Sequence, residues 1–252
     1  MLFEKVERII LGETFKSPLE AVNCQSCQMA IKGIYLEALK CCTYHPFLPN
    51  YMVGGILDGS KDGAKIIKDK IEKKIFVLPL GVLPSWAYRQ EHKFLNANEY
   101  GRNKDLLCPF FNSLEGSCKI WTFRSSVCRS FYCESSWGKE GLKYWELYNE
   151  AHHYVEMALT QECLLQFGFE WQEIENQLDY LEAPAHQLNP LNKLSKKIDE
   201  ELWQHKIQDK IEFFRDCYNY VSSLSQSKLI ALLEKEGLDK FTELKEWCNE
   251  YL

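Results

Sequence analysis

The sequence has no apolar run approaching the 18 or more residues of a membrane span. Its first residues, Met-Leu-Phe-Glu-Lys-Val-Glu-Arg, put acids where a signal peptide carries basic and then apolar residues. Basic excess is missing too. The formal net charge is −6, so composition gives no footprint for nucleic acid. No Gly-x-Gly-x-x-Gly follows a strand pattern, and Gly54-Gly55 is too little for a nucleotide loop. No Ser-His-Asp or Cys-His arrangement can be assigned as catalytic, and no repeat or low-complexity segment stands out. These absences predict a cytoplasmic protein with no membrane span and no nucleic-acid partner.

Cysteine is abundant instead. There are eleven in 252 residues, an odd number that leaves at least one unpaired in any disulfide scheme. In a reducing compartment such density argues for metal binding or redox chemistry over a disulfide framework. Hydrophobic content of 46%, with 13% aromatics, is enough for a real core in one large domain or two small ones.

Four cysteines, Cys108, Cys118, Cys128 and Cys133, fall within 26 residues. Between them lie Pro109, Gly116 and short polar turns, with neither a helical nor a strand period. Such a segment cannot bury enough apolar surface to fix its own path. Thiolates gathered on a metal would fix it. The plain alternative is a set of buried free thiols, because cysteine is among the most buried residue types.

A second cluster lies upstream. Ser17-Pro18-Leu19-Glu20 is a helix start, with a cap, a proline at the first helical position and a capping-box acid. The helix would carry Cys24 and Cys27 on one face. Cys41-Cys42 follows before Pro46. Were residues 24 to 41 one helix, the two pairs would stand about 25 Å apart, beyond the reach of bonds of ~2.3 Å to one ion. The spacing therefore predicts a break near Cys27 to Gly33, or two separate sites.

Further along, residues 46 to 59, with Pro46, Pro49, Gly54, Gly55 and Gly59, read as a loop. Ala64, Ile67, Ile71 and Ile75 mark an amphipathic helix. Its Lys61, Lys65, Lys68, Lys70, Lys73 and Lys74 are most simply a solvated face, with a patch for phosphate or an acidic partner as the alternative. Phe76 to Pro84 reads as extended buried chain, and residues 85 to 107 as irregular. Helices are expected at about 140–167, 170–182, 193–222, 225–236 and 239–251. Cys163, Cys217 and Cys248 on those helices read as buried thiols. His45, three residues after the Cys-Cys pair, is the one histidine placed to join a site.

Taken together, Cys24-x2-Cys27, Cys41-Cys42, Cys108-Pro-Phe-Phe, Cys118-Lys-Ile-Trp and Arg124-x3-Cys128-Arg129-x-Phe131-x-Cys133 resemble the YkgJ-type cysteine-cluster family, described as zinc- or iron-chelating proteins. That family has Cys-x2-Cys followed closely by Cys-Cys, then Cys-Pro-Phe-Leu, Gly-x-Cys-x-Ile-Tyr and Arg-Pro-x-x-Cys-Arg-x-Phe-x-Cys. The resemblance covers roughly residues 20 to 135. Here Cys41 lies fourteen residues after Cys27, a wider spacing than the family's, and Ser125 replaces the proline after the arginine. The resemblance implies a metal site drawn from Cys24, Cys27, Cys41, Cys42, Cys108, Cys118, Cys128 and Cys133. Flagellin lysine methylases are similar to this family and are associated with an iron–sulfur cluster. They raise S-adenosylmethionine as a cofactor and protein lysine as a substrate.

All-sulfur ligation suits zinc or an iron–sulfur cluster. Neighbouring side chains in Cys41-Cys42 diverge, which fits a cluster, such as 4Fe-4S, better than one tetrahedral ion. Arg124 and Arg129 could offset the charge of thiolates around iron and tune its potential; otherwise they are surface ion pairs. Trp121, Phe123, Phe131 and Tyr132 read as core that would also shield a cluster.

The sequence thus predicts a mainly α protein. An irregular, metal-organised region spanning 1–135 packs against a helical region spanning 136–252. The expected role is a cytoplasmic redox or protein-modifying one, with a redox partner or a protein substrate. The competing expectations are a zinc-stabilised binding module without activity and a protein lysine methylase.

Overall fold

The computed structural model describes residues 2–13, 15, 27–96, 99–130, 138–182, 193–203 and 206–251. The chain is mainly helical. Among the described residues no helix is long and apolar enough to cross a membrane. The helix start expected at Ser17, together with Cys24, lies outside the described residues, as do Phe131, Tyr132 and Cys133.

Helix α1 (Leu2–Leu11) precedes a single turn, α2 (Gln28–Ile31). The chain then reverses through Gly33, at φ 71°, and runs in turns to Thr43. No continuous helix joins Cys27 to Cys41, so the break expected from their spacing is present. Strand β1 (Leu48–Pro49) pairs antiparallel with β3 (Gly81–Val82), which pairs antiparallel with β2 (Val77–Leu78). This small sheet is the extended buried stretch expected from Phe76 to Pro84.

Between β1 and β2 lie α3 (Asn50–Gly59) and α4 (Lys61–Lys73). Ser60 caps α4 by accepting from the Gly63 N–H, and Lys74 ends it in the left-handed conformation. The amphipathic pattern from Ala64 to Ile75 is thus a helix, as its period requires. The segment read as a loop, 46 to 59, is instead mostly α3, and the reading needs correcting for a physical reason. Its glycines do not break the helix; they let neighbours approach it. A Cβ on Gly54 would lie 1.9 Å from the backbone oxygen of Phe214, and one on Gly55 would lie 2.5 Å from the Phe123 ring. Asn50 fixes the helix start. Its amide donates to the carbonyls of Pro79 and Thr160, so the sheet and a distant helix share one buried side chain.

The remaining N-terminal elements surround the cysteines. They are α5 (Trp86–Lys93), the hairpin of β4 (Phe111–Asn112) and β5 (Ser117–Cys118), and the short α6 (Ser126–Ser130). Helix α5 falls inside the stretch expected to be irregular. Ser85 caps it. Because its helix buries no residue completely, its sequence carries little apolar period.

The C-terminal part consists of α7 (Gly138–Gln166), α8 (Trp171–Glu182), α9 (Lys196–Trp203), α10 (Lys210–Ser223) and α11 (Gln226–Tyr251). The run expected as one helix over 193–222 is two, with Asp209 accepting from the N–H groups of Ile211 and Glu212 to start α10. The two helices expected over 225–251 are joined as α11 through a kink at Glu234, φ 50° and ψ −166°. Helix α3 packs along α10, α1 along α11, and α7 lies between them. One hydrophobic cluster accordingly takes in Ile56 and Phe76 from the first part and Phe214 and Phe241 from the second.

Candidate metal centre

Residues 35–45 have little regular structure, and side chains from residues 86–101 hold them in place. The Tyr88 hydroxyl donates to the Thr43 carbonyl at 2.7 Å and accepts from the His45 N–H at 2.6 Å. The Tyr100 hydroxyl donates to the Cys41 carbonyl at 3.0 Å, and the Gly101 N–H donates to the Thr43 hydroxyl. The Cys108 N–H donates to the Cys42 carbonyl at 2.7 Å, which fixes the two cysteine-bearing segments against each other. Lys40, nearly buried, donates to the Gly116 carbonyl in the β4–β5 turn. Ser60, the cap of α4, donates to the Lys119 carbonyl and anchors the same hairpin from the other side.

The third segment is held by α7. Glu156, buried, accepts from the Ser126 N–H at 2.5 Å and from the Ser126 hydroxyl at 2.8 Å. A carboxylate at the start of α6 satisfies N–H groups that the helix itself leaves open. Cys128 follows one half-turn later.

The outcome is one pocket, partly open to solvent, lined by Cys41, Cys42, Cys108, Cys118 and Cys128. Five of the eight cysteines singled out by sequence meet there. Cys27 does not line it, and Cys24 and Cys133 lie outside the described residues. Among the described residues no three His, Cys, Asp or Glu side chains stand close enough together to hold a single metal ion. The five thiols thus surround a space without converging on one point.

The electrostatics oppose bare thiolates. The Cys41 thiol is pushed up by its hydrogen bond with Cys42 and then by burial. Burial pushes the Cys128 thiol up to about 12, with Cys41 and Cys118 adding to the shift. Cys108 is raised by burial and by Cys128. Neutral thiols can crowd in this way; several thiolates could do so only around added positive charge. Tyr44, on the pocket wall, is raised to about 12 by burial and by Cys128.

The two arginines behave differently. Arg124 lines the pocket, lies 3.4 Å over the Trp121 ring and donates to the carbonyls of Trp121 and Cys128. Its charge favours ionisation of both Cys41 and Cys128. Arg129 does not line the pocket. It donates to the carbonyls of Arg124 and Thr122 and so fixes the path of the loop. Phe123 turns the other way, onto α3 and Tyr218, as ordinary core. Trp121 is half-exposed at the rim.

Cys163 and Cys217 are buried together between α7 and α10, with the Cys163 thiol donating to the Cys217 carbonyl. Cys248 is buried on α11. None of the three lines the pocket, in keeping with their reading as buried thiols.

No protein-family model matches this chain, and no curated protein or solved structure does.

Sequence reasoning missed the side chains that hold the backbone around this pocket: Tyr88, Tyr100, Lys40 and Glu156. Each acts on backbone far away in sequence, and no local period or motif signals that. Lys70, expected on a solvated face, is instead 7% exposed. Its spacing three residues after Ile67, on the apolar side of α4, was the available signal.

Proposed function

We propose that this protein holds a polynuclear metal centre, most simply an iron–sulfur cluster, in the pocket of Cys41, Cys42, Cys108, Cys118 and Cys128. The observation that carries the reading is the meeting of these five thiols around one pocket. A single tetrahedral zinc ion needs all its sulfurs within ~2.3 Å of one centre. A cluster has width, and its iron atoms accept thiolates that stand further apart. The residues present fit such a group. The wall is largely aromatic and aliphatic, carries no carboxylate, and has Arg124 at its edge to offset the negative charge of thiolate-bound iron. Four of the thiols would serve as ligands and the remaining sulfur as a neighbour. Cys133 and the Cys24-x2-Cys27 pair, with Cys27 off the pocket, are outer candidates that the family resemblance adds.

A cluster there would supply one-electron chemistry or Lewis acidity to a redox or protein-modifying reaction. The deciding experiment is anaerobic purification, followed by measurement of iron, zinc and acid-labile sulfide with the visible spectrum. We expect brown protein with iron and sulfide in like amounts and absorption that bleaches on reduction. Stoichiometric zinc without iron or sulfide would remove the redox reading and leave a metal-stabilised binding module.

A further inference from the structure

Behind the cysteine pocket lies a second, separate concavity. It is an open groove between α4 and the β4–β5 hairpin, with the start of α5 at one end. Its lining includes His45 and Lys70, which share no residue with the cysteine pocket.

Both are buried. His45 is 3% exposed, and its Nε2 has no hydrogen-bond partner. Lys70 is 7% exposed and, among the described residues, makes no ion pair or hydrogen bond through its amine. Cys108 and Asp69 favour the charge on the Lys70 amine against burial, whereas a buried imidazole nitrogen without a partner is costly. The surroundings register that cost. Burial brings the Lys70 amine down to about 8, while burial and then Lys70 keep the His45 ring well below its ordinary value. An anion in the groove would accept from the Lys70 amine.

The rim has the matching sign. Lys65 and Lys73 on α4 and Lys119 on the hairpin line the same groove. Of the two carboxylates present, Asp69 is held by Lys73 at 2.7 Å, and Asp62 lies in the first turn of α4. Ser85, the cap of α5, contributes a hydroxyl and the favourable end of that helix. Donors thus approach from three elements. That arrangement suits a phosphoryl group, whose oxygens accept from several directions, better than a planar carboxylate.

We propose that this groove is a binding site for a small phosphate-bearing ligand, with Lys70 and His45 at its floor and Lys65 at its rim. The site goes beyond the metal reading and does not need it, since none of its groups is a sulfur ligand. The chemistry recognised is the phosphoryl group.

The test is calorimetric titration of the full-length protein, as purified with its own metal content, using sodium pyrophosphate at fixed ionic strength. Wild type should show saturable one-site binding. Lys70→Gln should weaken it about tenfold or more, the scale of one lost charge-assisted contact. Lys65→Gln should weaken it a few-fold, roughly the scale of a rim charge. Lys68→Gln, on the same helix but outside the groove, should leave it unchanged. Should Lys70→Gln fail to fold, Lys65→Gln against Lys68→Gln decides alone. No saturable binding would overturn the proposal. So would equal weakening by Lys68→Gln and Lys65→Gln, which would mean nonspecific surface attraction. A hexaglutamate peptide binding as tightly as pyrophosphate would overturn the phosphate assignment in favour of an acidic protein segment. Metal analysis of the same samples, purified without oxygen, keeps the two proposals apart: colourless protein that binds pyrophosphate supports this site and removes the cluster, and brown protein that does not bind it does the reverse.

Discussion

Cys41, Cys42, Cys108, Cys118 and Cys128 face a shared space, whereas Cys163, Cys217 and Cys248 are packed among helices away from it. Single Cys→Ser changes at Cys108, Cys118 or Cys128 should therefore lower bound metal and soluble yield together, because metal affinity and folding are coupled. Cys→Ala at 163, 217 or 248 should leave metal content at the wild-type level and cost only about 1 kcal/mol of stability through lost packing. Metal assay and thermal melting of the six variants check this; equal depletion in both groups would erase the partition. At the same scale, Gly54 is fixed by contact and not by conformational freedom. A methyl there meets the Phe214 carbonyl at 1.9 Å, backbone that cannot rotate away. Gly54→Ala should cost roughly 3 kcal/mol, which in a chain of this size lowers the melting temperature by about 6–12 °C. A melting temperature unchanged within error would show that α3 and α10 can separate without cost.

Between elements, the contact that matters most for the pocket is α6 on α7. Glu156 reaches from the middle of α7 to both the N–H and the hydroxyl of Ser126, two residues before Cys128. His153, half-exposed, flanks the same carboxylate at 3.7 Å. Glu156→Gln keeps the size but loses the charge and one acceptor, and should cost about 1.5–3 kcal/mol, the range for a hydrogen bond to a charged group. Ser126→Ala removes only the hydroxyl contact and should cost less. Because α6 presents Cys128, both variants should also release metal faster to a chelator, in the same rank order. If Glu156→Gln destabilises the fold and leaves chelator release unchanged, α6 does not depend on α7 for its position at the pocket.

Over the whole molecule, N-terminal and C-terminal helices pack on one another. Helix α3 lies along α10, α1 along α11, and the Trp203 indole donates to the Val77 carbonyl of the small sheet. The cysteine-bearing loops rest on α3 and α4, so their platform is completed by the C-terminal helices. A fragment of residues 1–135 should expose the glycine-bearing face of α3 and the apolar face of α1. We expect it to be insoluble, or to lack dispersed amide resonances, even when metal is supplied during expression. Co-expression with residues 136–252 should restore soluble protein. A folded, metal-loaded fragment on its own would show that metal suffices to organise the N-terminal part.

The sequence by itself determined the mainly helical class, most C-terminal helices and α4, and it singled out Cys41, Cys42, Cys108, Cys118 and Cys128 only within a larger set of eight cysteines. Each of these rests on local information: apolar residues at a helical period, caps such as Ser60, and cysteine density. The break between Cys27 and Cys41 was legible because a straight helix cannot return on itself. Tertiary structure alone decided the rest. It made α3 a helix despite three glycines, since those glycines answer to Phe214 and Phe123, distant in sequence. It set the thiols around a space and not around a point, buried Lys70 beside His45, and assigned Glu156 to Ser126. Those outcomes depend on which surfaces meet, and a chain states its periods locally while its contacts across 100 residues are fixed only when the core closes.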